Sequence, residues 1–248
     1  MTAPGGYGLN QAELASLTRV SGIPLASYRP AHVASCVGRA LSRNGISSGA
    51  DLAALCQRSP ATLAALRRSI LVAVTGLFRD PEQFDLLEAD ILPRLIRPGH
   101  GVRVWSAGCS DGSELYSVAL VLGRLGVLPR SRLLGSDALS ERVETARRGA
   151  AVPADVFRET RALVRWERRD LLREPLPSGR FDLVLCRNVA IYFAPPAQRE
   201  LHARLAAAAR SGGMIMLGRT ERLTRPSQFG LTAVAPHVYQ KDAPCAAA

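Results

Sequence analysis

From Val102 onward the chain sets five short apolar runs among segments of helical period: "VRVWSAG", "SRLLGSDA", "VRWERRDLL", "FDLVLCRNV" and "GGMIMLG". Apolar runs of this length, alternating with helices, belong to a mainly parallel sheet covered on both faces. The helix after the first run carries Leu115, Val118, Ala119 and Leu122, and "LSERVETARRG" carries Val143 and Ala146. The segment "PPAQRELHARLAAAARSGG" opens on Pro195 and is expected to stop at its glycines. The fold class is α/β and Rossmann-like, preceded by a small all-α part.

No strand pattern occurs before Val102. "NQAELASLTRVSG" has a cap at Asn10, apolar Leu14 and Leu17 at helical spacing, and a stop at Gly22. "PAHVASCVGRALSRNG" ends at Asn44-Gly45, and two further helices open on serine caps. The expected organisation is a helical domain over 1–72, an ordered linker over 73–101, the α/β domain over 102–242 and a loose tail over 243–248.

The charge is lopsided. The whole chain carries +11, and the first 72 residues hold seven arginines against Glu13 and Asp51, a local net of +5. Such a surface attracts acidic partners. Aromatic residues are sparse and not interleaved with the basic ones, so a protein partner is expected and nucleic acid is not. Five scattered cysteines without a CxxC pair indicate reduced thiols, and the four dispersed histidines give no metal-site spacing. With neither a leader-like start nor a membrane-length apolar run, the expected location is cytoplasmic, without membrane insertion.

"VWSAGCSDGSELYS" (Val104–Ser117) reads as strand, glycine turn and helix, the arrangement that holds nucleotide-type cofactors. An acidic residue ending the next strand, Asp137, can accept both hydroxyls of an adenosine ribose. A dinucleotide loop needs GxGxxG so that backbone approaches a pyrophosphate. Here the loop is Gly108-Cys-Ser-Asp-Gly112, and Asp111 and Glu114 repel phosphate. They suit a cofactor carrying a sulfonium and an ammonium, which favours S-adenosylmethionine (AdoMet).

Together with "VTGLFRDPEQF" (Val74–Phe84) and "FDLVLCRNVAIYF" (Phe181–Phe193), this stretch is similar to the chemotaxis receptor methyltransferase (CheR) family. The resemblance covers nearly the whole chain. It implies AdoMet as cofactor, S-adenosylhomocysteine (AdoHcy) as product, and methyl transfer to glutamate side chains of a chemoreceptor cytoplasmic domain, chemistry for which a monomer suffices. It implies that Thr75 and Arg79 face the cofactor from the linker, with Glu114 on its methionine or ribose side and Asp137 on the ribose. Asp170 and Leu171 would lie beside the adenine, where the family has Asn-Leu. Gly108, Arg187, Asn188 and Val189 would line the cleft, and Arg79 and Tyr192 would act at the reacting centre.

The chain departs from the family pattern at Ala73, at Asp111, Ser113 and Leu115, at Leu77, and at Thr220-Glu221-Arg222. It therefore resembles a divergent member, and a different carboxylate or small-molecule substrate, or a non-catalytic AdoMet-binding module, stay open as alternatives. Family members commonly carry a small antiparallel β-subdomain between the second and third strands. Here about fifteen residues follow Gly149, too few for three strands and their turns. One short helix is expected instead, and with it no tether for a receptor peptide.

Overall fold

A computed structural model describes residues 7–243, so the expected loose tail lies, from Pro244 on, outside the described residues. The chain divides into two compact units. One comprises residues up to Val74 with Tyr192–Gln198; the other comprises Thr75–Ile191 with the residues from Arg199 on.

The first unit holds α1 (Gln11–Ser21), α2 (Pro30–Asn44), α3 (Gly49–Arg58) and α4 (Pro60–Ile70). Asn10 caps α1 through a reciprocal pair with Glu13, and Ser48 and Ser59 accept from Asp51 N and Thr62 N. Gly22 and Gly45 end α1 and α2 in the left-handed conformation that only glycine adopts without strain. Glu13 also accepts from Gly49 N at 2.8 Å, so the cap of α1 fastens the start of α3. Leu17, Val33, Val37, Leu52, Leu66 and Ile70 form the buried interior. A groove of about 230 Å³ runs between α2 and α4, with Ala40, Ala65 and Leu66 below and Arg39, Arg43 and Thr62 at its sides. Tyr192 joins this unit: its carbonyl accepts from Arg29 N at 2.9 Å and its ring lies 4.9 Å from that of His32.

The second unit begins with the linker, which is helical over α5 (Pro81–Leu86) and α6 (Leu92–Leu95) with a wide π-turn over Leu87–Ile91 between them. Pro93 has no N–H for the carbonyl of Ala89 and its ring crowds that group, so the turn ahead of it widens. There follow β1 (Arg103–Ala107), α7 (Ser113–Arg124), β2 (Arg132–Asp137), α8 (Ser140–Arg147), α9 (Ala154–Thr160), β3 (Val164–Arg168), β4 (Phe181–Cys186), α10 (Pro195–Ala208) and β5 (Ala209–Leu217). Two strands that the apolar pattern did not reveal, β6 (Leu231–Ala235) and β7 (Val238–Lys241), complete a seven-stranded sheet of order β3-β2-β1-β4-β5-β7-β6. β1 to β5 are parallel, and β7 runs antiparallel to β5 and β6.

Between Gly149 and β3 the described chain forms α9 and no strand, as the length of that interval requires. The glycines after α10 do not stop it. The helix ends at Ala208 and β5 starts at once, because Ala209 pairs with Phe181 of β4. The order of strands reverses between β1 and β4, and in sheets of this kind the ligand crevice opens at the carboxyl ends on either side of that switch. The glycine loop follows β1 and the Arg187–Val189 turn follows β4. Both therefore border the crevice.

Candidate active site

The loop after β1 is held in one shape by its own backbone. Gly108 N and Cys109 N both donate to Ser136 O, Gly112 N donates to Cys109 O, and Ser113 N to Asp111 Oδ1. Ser110 N donates to Asp137 Oδ2 at 3.0 Å. A Cβ on Gly108 (φ 82°) would stand 2.6 Å from Val189 Cγ2, so only glycine lets the two crevice walls approach this closely. With these five N–H groups already partnered, the loop offers few donors to a pyrophosphate. The nearby side chains Asp111, Glu114 and Asp137 are acidic. The donor set fits a cationic adenosyl cofactor and rejects a dinucleotide.

Asp137 ends β2 and is 5% exposed. Its Oδ1 accepts from Leu139 N at 2.9 Å while its Oδ2 takes Ser110 N, so the carboxylate ties β2 to the glycine loop and starts the next turn. Burial pushes its pKa up, and the Leu139 N–H, Arg142 and the Ser110 N–H pull it back. Each carboxylate oxygen has a second lone pair, the acceptor capacity a ribose diol needs.

Arg187 is the hub of the crevice. Its side chain is 3% exposed, and each guanidinium nitrogen has a partner: Nε donates to Gln83 Oε1 at 2.9 Å, Nη1 to Glu114 Oε2 at 3.2 Å, and Nη2 to Arg79 O at 2.5 Å and Asp80 Oδ2 at 3.1 Å. The plane lies over Phe84, 5.1 Å from the ring centre. Gln83 extends the chain of contacts to Leu217 O, and Ser106 Oγ donates to the other oxygen of Glu114. Arg187 thus binds linker, β4 and α7 together. It presents no free guanidinium to a ligand, and its influence on one is exerted through Glu114 and Arg79.

The turn after β4 rests on Glu221, which is 5% exposed. Its Oε2 accepts from Asn188 N at 2.6 Å and Gly218 N at 2.8 Å, and its Oε1 from Val189 N at 3.1 Å and Ala190 N at 2.8 Å. Burial raises its pKa against the pull of those four N–H groups. With Asn188 pinned at φ 60°, and Phe78, Asp80 and Ser110 at 52°, 58° and 50°, four non-glycine residues of the linker, glycine loop and post-β4 turn hold left-handed backbone. Such strain gathers where surrounding structure overdetermines a site.

Thr75 Oγ1 donates to Asp111 Oδ2 at 2.5 Å, joining the linker to the glycine loop. Asp170 Oδ1 accepts from Leu172 N at 2.9 Å and Arg173 N at 3.3 Å, capping its own turn, and Leu171 is buried. Tyr192 belongs to the helical unit described above. From the sequence, Gln83 shows no role, Asp80 reads only as an ion-pair partner for Arg79, and Glu221 reads equally as site wall or surface. A polar residue in a helical linker has no local signature of a partner more than a hundred positions away. Cys109 and Cys186 are buried, and burial pushes both thiols well up, so they are packing groups and not nucleophiles.

The family model described as "CheR methyltransferase, SAM binding domain" matches residues 73–158 and 150–236. The chain is 31% identical over 194 residues to the "Chemotaxis protein methyltransferase" of Listeria innocua, covering 69% of this chain and 74% of that one. It is 27% identical over 263 residues to the "Chemotaxis protein methyltransferase 1" of Pseudomonas aeruginosa, covering 90% and 93%. Among solved structures, an O-methyltransferase family protein from Burkholderia thailandensis is 14% identical, with a TM-score of 0.49, over 67% of this chain and 57% of that one.

Proposed function

This chain belongs to the CheR methyltransferase family, with an AdoMet-binding methyltransferase domain, and on that premise we propose that it methylates glutamate side chains of an acidic, chemoreceptor-type protein in the cytoplasm. The observation that carries the reading is the crevice at the strand switch: a glycine loop with its N–H groups engaged, ringed by carboxylates. AdoMet, when bound, supplies the methyl group on a sulfonium. Asp137 would hold the ribose, Glu114 the methionine or ribose side, and Asp170-Leu171 the adenine edge. Gly108, Asn188 and Val189 would form the walls, with Thr75 and Arg79 reaching in from the linker. No described helix is long and apolar enough to cross a membrane.

A glutamate nucleophile has an ordinary pKa of about 4.3 and is ionised at neutral pH, so no general base is needed. The protein's part is alignment, to which effective-molarity arguments assign about 7–11 kcal/mol. Arg79 is suited to grip one carboxylate oxygen, and the family resemblance assigns the Tyr192 hydroxyl the orienting of the attacking face. The grip must be moderate, because charge disappears as sulfonium and carboxylate combine. The arginines beside the α2–α4 groove support an acidic protein as partner.

A labelled-methyl assay with receptor cytoplasmic domains tests the reading, and absence of transfer to any carboxylate would overturn it. In that assay Arg79→Ala and Tyr192→Phe should lower kcat more than they weaken AdoMet binding. Unchanged turnover in both would place the chemistry on other residues. Asp137→Ala should weaken AdoHcy by more than about 1 kcal/mol in calorimetry, the scale of a lost hydrogen bond to a charged group. An unaltered Kd would remove Asp137 from the site.

A further inference from the structure

The loop that leaves β5 displays three arginines in a way that nothing in the site described above uses. It runs beside the Asn188 turn, since Leu217 at the end of β5 pairs with Cys186 at the end of β4. Two buried residues anchor it. Glu221 holds Gly218 N and the Asn188 turn, and Leu223 is buried with its N–H donating to Tyr239 Oη at 3.0 Å. His237 Nδ1 meets Glu221 O at 2.6 Å and fixes the loop from the other side. The arginines around these anchors face solvent: Arg219, Arg222 and Arg225 are all exposed.

Arg225 O accepts from Gln228 N at 3.2 Å, but no guanidinium of the three makes a hydrogen bond or ion pair among the described residues. From Gly218 to Phe229 the sole carboxylate is Glu221, buried and occupied by backbone N–H groups, so every exposed charge on the loop is positive. Asp111, Glu114 and Asp137 follow or end β1 and β2 at the same carboxyl edge of the sheet. Charge is therefore segregated along that edge, acidic after β1 and β2 and basic on the loop after β5. A stacking platform for nucleic acid is missing from the loop, because its one aromatic residue, Phe229, packs edge-on against His202.

We propose that Arg219, Arg222 and Arg225 form a docking rim for the acidic residues that flank the methyl-accepting glutamate. The rim selects an acidic protein segment over a neutral one. This rests on the carboxylate methyltransferase reading above. Exposed charges of this kind act on encounter, salt dependence and choice of partner more than on the chemical step.

The test uses the full chain and two labelled helical peptides that share one acceptor glutamate, one with acidic flanks and one with the same flanks as amides. Anisotropy at low salt should show the acidic-flank peptide bound about tenfold more tightly, three rim charges each supplying a fraction of that factor. R219E/R222E/R225E should abolish or invert the preference and leave AdoHcy affinity unchanged, which also reports an intact fold. A triple variant that keeps the wild-type preference overturns the rim, as does a short RNA that binds more tightly than the acidic peptide. If both peptides bind with the expected preference and neither is methylated by the wild-type protein, the rim stands and the carboxylate reading falls.

Discussion

Glu221→Ala should lower the melting temperature by about 10 °C and weaken AdoHcy binding, although Glu221 is assigned no contact with cofactor. The carboxylate accepts four backbone N–H groups, and two of the donors, Ala190 and Gly218, belong to buried residues. A buried donor left without its acceptor costs about 1–3 kcal/mol, whereas water can serve the half-buried Asn188 and Val189. A loss of about 3–4 kcal/mol shifts the melting point of a chain this size by roughly 2–4 °C per kcal/mol. Asn188 would also lose what holds it in the left-handed region, so the crevice wall should relax. Glu221→Gln should fall between, because its amide nitrogen faces two donors where an oxygen stood. Differential scanning fluorimetry with and without AdoHcy gives both readouts. An alanine variant melting within a degree of wild type would show that water fills the site and that the turn does not depend on the carboxylate.

Replacing the crevice hub should have a similarly large effect. Arg187→Met keeps the volume and the contact with Phe84 but strips Asp80 and Glu114 of their counter-charge. Breaking one partner out of a buried ion pair costs about 3–5 kcal/mol, mostly because the partner stays behind uncompensated. Arg187→Lys should recover only part of this. An ammonium is a point donor and cannot serve Gln83, Glu114 and the Arg79 carbonyl from one fixed plane. The expected results are a clear drop in denaturant midpoint for Met, a smaller one for Lys, and weaker AdoHcy binding in both as Glu114 and the Arg79 backbone lose their anchor. A Met variant as stable as wild type would mean that relief of desolvation balances the lost pairs.

Much of the architecture follows rules that act over a few residues. The caps at Asn10, Ser48 and Ser59 and the stops at Gly22 and Gly45 were legible because capping is a contact over three or four positions. The five parallel strands were legible because strands buried on both faces are apolar throughout. β6 and β7 escaped that pattern. They are short, β6 is an edge strand with only Leu231 buried, and Pro236 breaks the run between them. The stop of α10 was misplaced because "AAAAR" is a good helix sequence with no local terminator, and pairing with Phe181 decides where the strand begins.

For the site, the sequence alone determined its place and its charge: a glycine loop after the first strand, Asp137 after the second, the Arg187–Val189 turn after the fourth. It could not determine what those groups do to one another. Arg187 reads as one more cleft residue, yet the fold turns it inward to meet Gln83 and Asp80, more than a hundred positions away in the chain. Glu221 reads equally as site wall or surface, yet it carries the turn that holds Asn188. Local propensity is set by neighbours a few residues apart, and the chain writes it openly. Which carboxylate meets which N–H, and which cation stays outside, depends on how the crossovers bring distant segments to one edge of the sheet, and only the packed structure decides it.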